Sequence, residues 1–237
     1  MPTLRTQATA EGSPVCSSRD VTIVIPQHNR FDLTLRAISS FREHHGRDVM
    51  ICVVDDGSND GLESIRATLL KLDVRILQQP YQGVTAAWNC GWRACDSRWL
   101  VFLNNDSWTT AGWLDRLLRP LQNGDAIMSS VGWRRERYLP RALEHMRRVG
   151  LMLDGSCFAI ARENLAALRG FDPAFRLYFS DTDLQLRLLQ QHGRFGTLTA
   201  VANLGLKHIG HATTRDLPGR VTQWRSDHAA FIAKWSN

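Results

Sequence analysis

Residues 21–26, VTIVIP, form a short β-branched run stopped by proline, which fits a buried strand. Phe31, Leu35, Ile38 and Phe41 then recur at helical spacing, placing one apolar stripe on a helix that ends near His44, His45 and Gly46. The unit repeats. Residues 49–54, VMICVV, read as a second buried strand, and Leu62, Ile65 and Leu69 as the stripe of a second helix, with Asp60 and Glu63 fitting a capping box at its start. A third strand over 74–77, a helix over 83–95 and a fourth strand over 99–103 continue the alternation. Beyond residue 125 it becomes irregular: a basic stretch over 134–148 carries Leu139, Leu143 and Met146 at helical spacing, a strand-like run covers 151–161, and a helix covers about 179–191. Val221, Trp224, His228, Phe231 or Ile232, and Trp235 predict a C-terminal amphipathic helix packed back on the domain.

Strands alternating with helices imply an α/β fold with a Rossmann-like, mostly parallel central sheet and helices on both faces. At 237 residues the chain suits one sizeable domain better than two small ones. The expected division is a polar, mobile leader over 1–19, a domain over 20–212 and the helix over 213–237. In such sheets ligands bind outside the carboxyl ends of the strands. Three loops there are polar: Gln27 to Arg30, Asp55 to Ser58 and Asn104 to Ser107.

Composition narrows the class further. An apolar share of 43% and a charged share of 22% describe a globular chain and exclude a fibrous or wholly disordered one. The formal charge of +6 and isoelectric point near 9.4 favour an anionic partner: a nucleotide, a phospholipid surface, an acidic glycan or nucleic acid. No apolar run approaches the roughly 20 residues that span a bilayer, and the first 20 residues lack a secretory core, so a cytoplasmic protein is expected. The basic 134–148 segment offers a loop over a diphosphate, a dock for an anionic acceptor, a peripheral contact with the inner membrane surface, or simply a solvated helix paired to Glu136 and Glu144. The five cysteines, Cys16, Cys52, Cys90, Cys95 and Cys157, are odd in number and show no CxxC pair, so reduced thiols are expected rather than a zinc site.

Asp55 and Asp56 stand at the mouth of a buried strand before Gly57, where a carboxylate can accept hydrogen bonds from a base N–H or a ribose hydroxyl, or can merely cap the next helix. Asn104, Asn105 and Asp106 follow another buried strand. Asp106 can hold a divalent cation that bridges a diphosphate, Mg²⁺ or Mn²⁺ being suited to hard oxygen donors, or can belong to an ordinary turn. Asp183 lies four residues before Arg187 and reads as a structural i,i+4 pair, whereas Asp181 stands in the first helical turn at another angular position.

The segments VTIVIPQHNR, VVDDGSNDG, QGVTAAWNCGWRA, LVFLNNDSWTTAGWL and GFDPAFRLYFSDTDLQLRL resemble, in order and spacing, the family 2 inverting glycosyltransferases of the GT-A fold, over about residues 20–211. The resemblance implies a single GT-A-type domain whose 20–107 half binds a nucleotide sugar and whose 108–212 half binds the acceptor. By resemblance Asp56 contacts the nucleotide base, with Asp55, Pro26, His28, Asn29 and Arg30 beside it and Gly83, Asn89, Asn104 and Asn105 completing the nucleotide-sugar site. Asp106 resembles the end of a DxD-type metal motif, with Asn104 and Asn105 standing where the other carboxylate often lies, and His208 the late histidine that completes the metal site, with His211 as its fallback. Imidazole beside carboxylate tilts the expected cofactor from Mg²⁺ towards Mn²⁺.

Asp181, with Leu184 and Arg187 after it, resembles the family's catalytic base. Ser180 replaces the Glu that usually precedes it, so any influence of a neighbouring carboxylate is lost or supplied elsewhere. The reaction implied is a metal-assisted single displacement from a nucleotide diphosphate sugar, UDP-linked by preference, to a hydroxyl of a glycan, lipid-linked, small-molecule or DNA acceptor. Two other readings stand beside it: a nucleotidyltransferase, although Pro26 to Arg30 is not a glycine-rich phosphate loop, and a non-catalytic module binding nucleotide sugar or nucleic acid.

Overall fold

The first strand, β1 (Val21–Gln27), is buried at six of its seven residues. Its neighbours β2 (Met50–Asp56) and β4 (Trp99–Leu103) lie parallel on either side of it, and β3 (Val74–Gln79) extends the sheet beyond β2. The computed structural model describes residues 20–45, 48–193, 197–210, 212, 214–215 and 217–236. The expected leader and the fallback His211 lie outside these residues.

The remaining strands are β5 (Ser107–Thr109), β6 (Met128–Ser130), β7 (Trp133–Arg135), β8 (Leu151–Leu153), β9 (Cys157–Ala161), β10 (Leu198–Ala200) and β11 (Leu206–His208). The main sheet has the order β10-β6-β9-β4-β1-β2-β3. It is parallel except for β9, which runs antiparallel to both β4 and β6. The expected mostly parallel α/β sheet is therefore present.

Helices cover both faces. On one, α1 (Phe31–His45), α2 (Leu62–Lys71) and α4 (Trp113–Gln122) bury Ile38, Phe41, Leu69, Trp113 and Leu117 against Ile23, Ile25 and Val101. On the other, α3 (Val84–Arg93), α6 (Arg162–Ala167) and α7 (Ser180–His192) bury Trp88, Leu165, Leu184 and Leu188 against Val24, Val54 and Phe102. Each such side chain contributes about 1.5–3 kcal/mol when fully buried. A third cluster joins α8 (Arg220–Trp235) to the domain through Phe231 and Trp235, packed with Phe175, Phe179, Leu186 and Met152.

Four expectations change. The 151–161 run is two strands, β8 in a small hairpin with β7 and β9 in the main sheet, separated by a turn at Asp154, Gly155 and Ser156. The basic stretch divides into β7, a 3-10 turn at Arg141–Leu143 and the short α5 (Glu144–Val149). The capping position of α2 is Gly61, with φ 88°, because the Asp60 carboxylate turns to the start of α1 and accepts from the Phe31 N–H at 3.2 Å. Along α8 the buried edge runs through Asp227, Phe231 and Trp235, and Val221 stands 55% exposed, one turn before the helix reaches the domain. Among the described residues no helix is long and apolar enough to cross a membrane.

Candidate active site

A cleft of about 590 Å³ opens at the carboxyl ends of β1, β2 and β4. One wall comes from Pro26, Gln27, His28, Asp56, Asn104, Asn105, Asp106 and His208. The facing wall comes from the segment after β7, the Asp154 to Ser156 turn, the start of α7 and the face of α8 that carries Trp224.

On the first wall, strand geometry separates two adjacent carboxylates, because successive side chains point to opposite faces. Asp56 faces the cleft; its oxygens accept from the Gln79 side chain at 2.7 Å, the Gln82 N–H at 2.8 Å and the Gly83 N–H at 2.6 Å. A carboxylate has about four lone-pair sites, so roughly one is left for a ligand. Asp55 points away and accepts from the Ser58 N–H at 3.1 Å. Gly83 has φ 97°, and a Cβ there would collide with the Arg176 carbonyl, so only glycine brings this N–H to Asp56 without strain.

His28 receives its orientation from Asp56: ring Nδ1 donates to the Asp56 carbonyl at 2.7 Å. Its ring lies 4.4 Å from that of Tyr81, over which the Arg176 guanidinium sits at 4.5 Å. Asn29 and Arg30 take left-handed φ values of 54° and 55° and shape the loop rather than line the cleft. Asn29 accepts from the Asn59 N–H at 2.9 Å, and Arg30 pairs with Asp32 at 2.9 Å. Asn89 lies in the core, where its amide bonds both the N–H and the carbonyl of Phe171 and the Trp92 indole.

The pairing of β11 with β5 sets His208 opposite Ser107 and hence next to Asp106. His208 Nε2 lies 2.8 Å from Asp106 Oδ1. Burial raises the Asp106 carboxyl, but the hydrogen bond and charge of His208, with the Ala212 N–H, outweigh it and hold it below its ordinary value. Burial likewise opposes the charged form of His208, and Asp106 overrides it, so the imidazole is raised. Cis ligands on an octahedral ion with bonds of about 2.1 Å stand about 3 Å apart, so the two side chains fit one small divalent cation. Among the described residues no third acid, histidine or cysteine joins them. Asn104 lines the cleft beside them, while the Asn105 amide turns to Gln27 at 3.1 Å and Thr34 at 3.2 Å.

On the facing wall, Asp181 occupies the first turn of α7, after Phe179 with φ 65°. Its Oδ2 accepts from Arg134 at 2.9 Å. The same guanidinium reaches Thr182 at 2.6 Å and Glu136 at 2.5 Å, and the Tyr138 N–H fixes the other Glu136 oxygen at 3.0 Å. The charge of Asp181 is the largest cause of a guanidinium pKa raised above its ordinary value; burial opposes it and Glu136 adds to it. A second carboxylate, that of Glu136, thus stands one guanidinium away from Asp181, while Ser180 bonds Thr85 at the start of α3. Gly155 presses against Asp181 from the other side, and a Cβ there would overlap the carboxylate. Asp183 points away from the cleft into a buried network with Arg187 at 2.7 Å, Lys234 at 2.6 Å and the Trp235 indole at 3.0 Å, the structural role its spacing implied.

Tyr81, Tyr138, Gly155 and Thr182 also line the cleft and were not singled out from the sequence, whereas Arg134 and Glu136 belong to the basic run and Trp224 to the C-terminal stripe read there. Tyr81, Tyr138 and Gly155 lie outside the helices and strands, where no periodicity marks them, and Thr182 stands in the first turn of α7.

A mostly parallel sheet with one antiparallel strand, carrying acidic residues at its carboxyl edge, is an α/β architecture of the GT-A type. The model of glycosyl transferase family 2 matches residues 22–186, and the chain belongs to that family. A pre-mycofactocin glycosyltransferase of Mycobacterium tuberculosis is 37% identical over 103 residues, 43% of this chain and 21% of that protein. A GalNAc(5)-diNAcBac-PP-undecaprenol beta-1,3-glucosyltransferase of Campylobacter jejuni is 26% identical over 187 residues, 72% of this chain and 60% of the other. The chain thus spans less than two thirds of the length of these relatives. The structure of a mannosyltransferase from Pyrobaculum calidifontis in complex with GDP-Man and Mn²⁺ shares the fold, with TM-score 0.67 and 18% identity, over 96% of this chain and 69% of that one.

Proposed function

We propose that this chain transfers a sugar from a nucleotide diphosphate sugar to an acceptor hydroxyl with inversion at the anomeric carbon. The observation that carries the reading is the cleft itself, with Asp56 and the Asp106–His208 pair on one wall and Asp181 on the other. Asp56 and His28 receive the nucleotide, Asp56 through its remaining lone pair and His28 with Tyr81 as a surface for the base. Asp106 and His208 would hold a divalent cation, Mn²⁺ by their mixed oxygen and nitrogen donors. That ion supplies Lewis-acid stabilisation of the leaving diphosphate when bound. Asp181, held by Arg134 and Gly155, accepts the acceptor's hydroxyl proton as the oxygen attacks from the face opposite the nucleotide. The acceptor oxygen–carbon bond forms as the carbon–phosphate-oxygen bond breaks, which inverts the centre.

A glycan or lipid-linked acceptor is proposed, the latter supported by the undecaprenol-linked glycan in the name of the Campylobacter relative. The test is nucleoside diphosphate release from a panel led by UDP-sugars, with and without Mn²⁺. Release that depends on both a particular donor and the metal is expected; no release and no binding from any nucleotide sugar would overturn the reading.

A further inference from the structure

The second wall of the cleft contains more than Asp181 needs. Tyr138, Phe179 and Trp224 line it together, Tyr138 and Trp224 with ring centroids 5.1 Å apart and an interplanar angle of 70°. His228 stacks on the Trp224 indole at 4.8 Å and 14°, which fixes the orientation of an indole that lines the cleft. Phe179 stands two residues before Asp181, so these rings adjoin the carboxylate. Tyr138 is 45% exposed, so part of its ring is accessible from the cleft.

Beside the rings stand two cations. Arg134 is committed to Asp181 and Glu136, but Arg135 and Arg137 also line the cleft, both exposed. Among the described residues neither has a carboxylate partner. Their neighbour Glu136 is only 7% exposed and already bonded to Arg134 and the Tyr138 N–H, so it does not neutralise them. A flat aromatic surface binds the C–H face of a pyranose, and a guanidinium binds an oxyanion with paired N–H donors.

We propose that this wall is the acceptor subsite, and that it selects an anionic sugar: the pyranose ring on Trp224 and Tyr138, its phosphate ester or carboxylate on Arg135 and Arg137. The inference rests on the proposed function, since it takes Asp181 as the group that faces the acceptor hydroxyl. It also assigns the basic segment to the acceptor rather than to the donor diphosphate or to a membrane.

The test is calorimetry on the full chain with the donor side saturated by UDP or GDP, whichever binds, and Mn²⁺. Three probes are titrated: methyl glucoside, methyl glucuronide and glucose 1-phosphate. At least one anionic sugar is expected to bind tenfold or more tightly than the neutral one, the two anionic arms telling carboxylate from phosphate. R135Q/R137Q should erase that advantage and R135K/R137K restore part of it, while Trp224→Ala should weaken all three probes and Trp224→Phe recover them. Equal affinity for all three probes overturns the proposal, as does weakened nucleoside diphosphate binding in R135Q/R137Q, which would give the arginines to the donor. Sedimentation with phosphatidylglycerol vesicles that R135Q/R137Q abolishes, with no binding of either anionic sugar, also overturns it in favour of a membrane contact. Failure of the nucleotide to bind at the outset would count against the proposed function instead.

Discussion

The two walls of the cleft are built by different physics. The wall proposed to bind the donor hangs from the ends of β1, β2 and β4, where main-chain pairing sets side-chain positions and polar groups are tied down by backbone N–H donors, as Asp56 is by Gln82 and Gly83. The facing wall, proposed for the acceptor, has only the short β7–β8 hairpin as a strand frame. It is held by side chains: the Arg134 fork on Asp181 and Glu136, and the buried Asp227 carboxylate that accepts from the N–H groups of Arg176, Leu177 and Tyr178 at 2.9–3.2 Å. A wall framed by a sheet takes most of its geometry from main-chain pairing, whereas one framed by side-chain bonds can be rearranged one residue at a time.

The largest break in this comparison is Asp181→Asn. General-base assistance is worth typically about 10²–10⁴-fold, so kcat should fall by that factor. Nucleotide affinity, which belongs to the other wall, should stay within about twofold by calorimetry. Retained turnover in this variant removes Asp181 from the mechanism.

Gly155→Ala probes the same wall without touching a reacting group. The added methyl displaces the Asp181 carboxylate, and a shift on the order of 1 Å costs about 10²-fold, so steady-state kinetics should show a fall of about 10- to 100-fold in kcat. Donor binding should again be spared. A normal kcat would mean that Asp181 does not need its present position.

A smaller effect separates the walls by pH. His208 is raised by its hydrogen bond to Asp106 against the opposing effect of burial, so its charged form stabilises the fold below about pH 6.5. That contribution is lost as pH rises through the raised folded value. The lowered Asp106 works in the other direction: its contribution is present above the usual carboxylate range and is lost as pH falls through its folded value. A cation must displace the His208 proton, so Mn²⁺ affinity should rise with pH by up to about tenfold per unit until His208 is neutral. Titrations between pH 5.5 and 8 check this, and His208→Ala should flatten the slope.

Smallest of all is Val221→Ser, on the exposed start of α8, for which a change within about 0.5 kcal/mol is expected by urea denaturation. By contrast Phe231→Ala, nearly three turns further along and fully buried, should cost about 3–5 kcal/mol.

The donor wall was also the more legible from sequence, for the same physical reason. Buried parallel strands such as 99–103 announce themselves as unbroken apolar runs, and the polar residues just past them fall at the sheet's carboxyl edge whatever the tertiary detail. The carboxyl ends that did shift, β1 to Gln27, β2 to Asp56 and β3 to Gln79, did so because polar residues can still complete a ladder. The helix α4 carries a clear face of Trp113, Leu114, Leu117, Leu118 and Leu121, but Pro120 inside it obscures the period.

The acceptor wall was legible only in pieces. Asp181 stood out by its place in a helix start and a family pattern. Its partners did not, because Arg134 and Gly155 reach it from a distance of 47 and 26 positions along the chain through a hairpin with no long period. The contact between His208 and Asp106 likewise depends on the β11–β5 register, which a three-residue strand does not reveal. Asp183 and Arg187 were readable because an i,i+4 pair is local.

The division of the cleft into a donor wall and a base on the opposite wall is tested most directly by the anomeric configuration of the product, read by proton NMR during turnover of a donor of known configuration. Attack guided by Asp181 from the face opposite the nucleotide predicts a product of opposite configuration to the donor from the first turnover. A product that keeps the donor's configuration would contradict it.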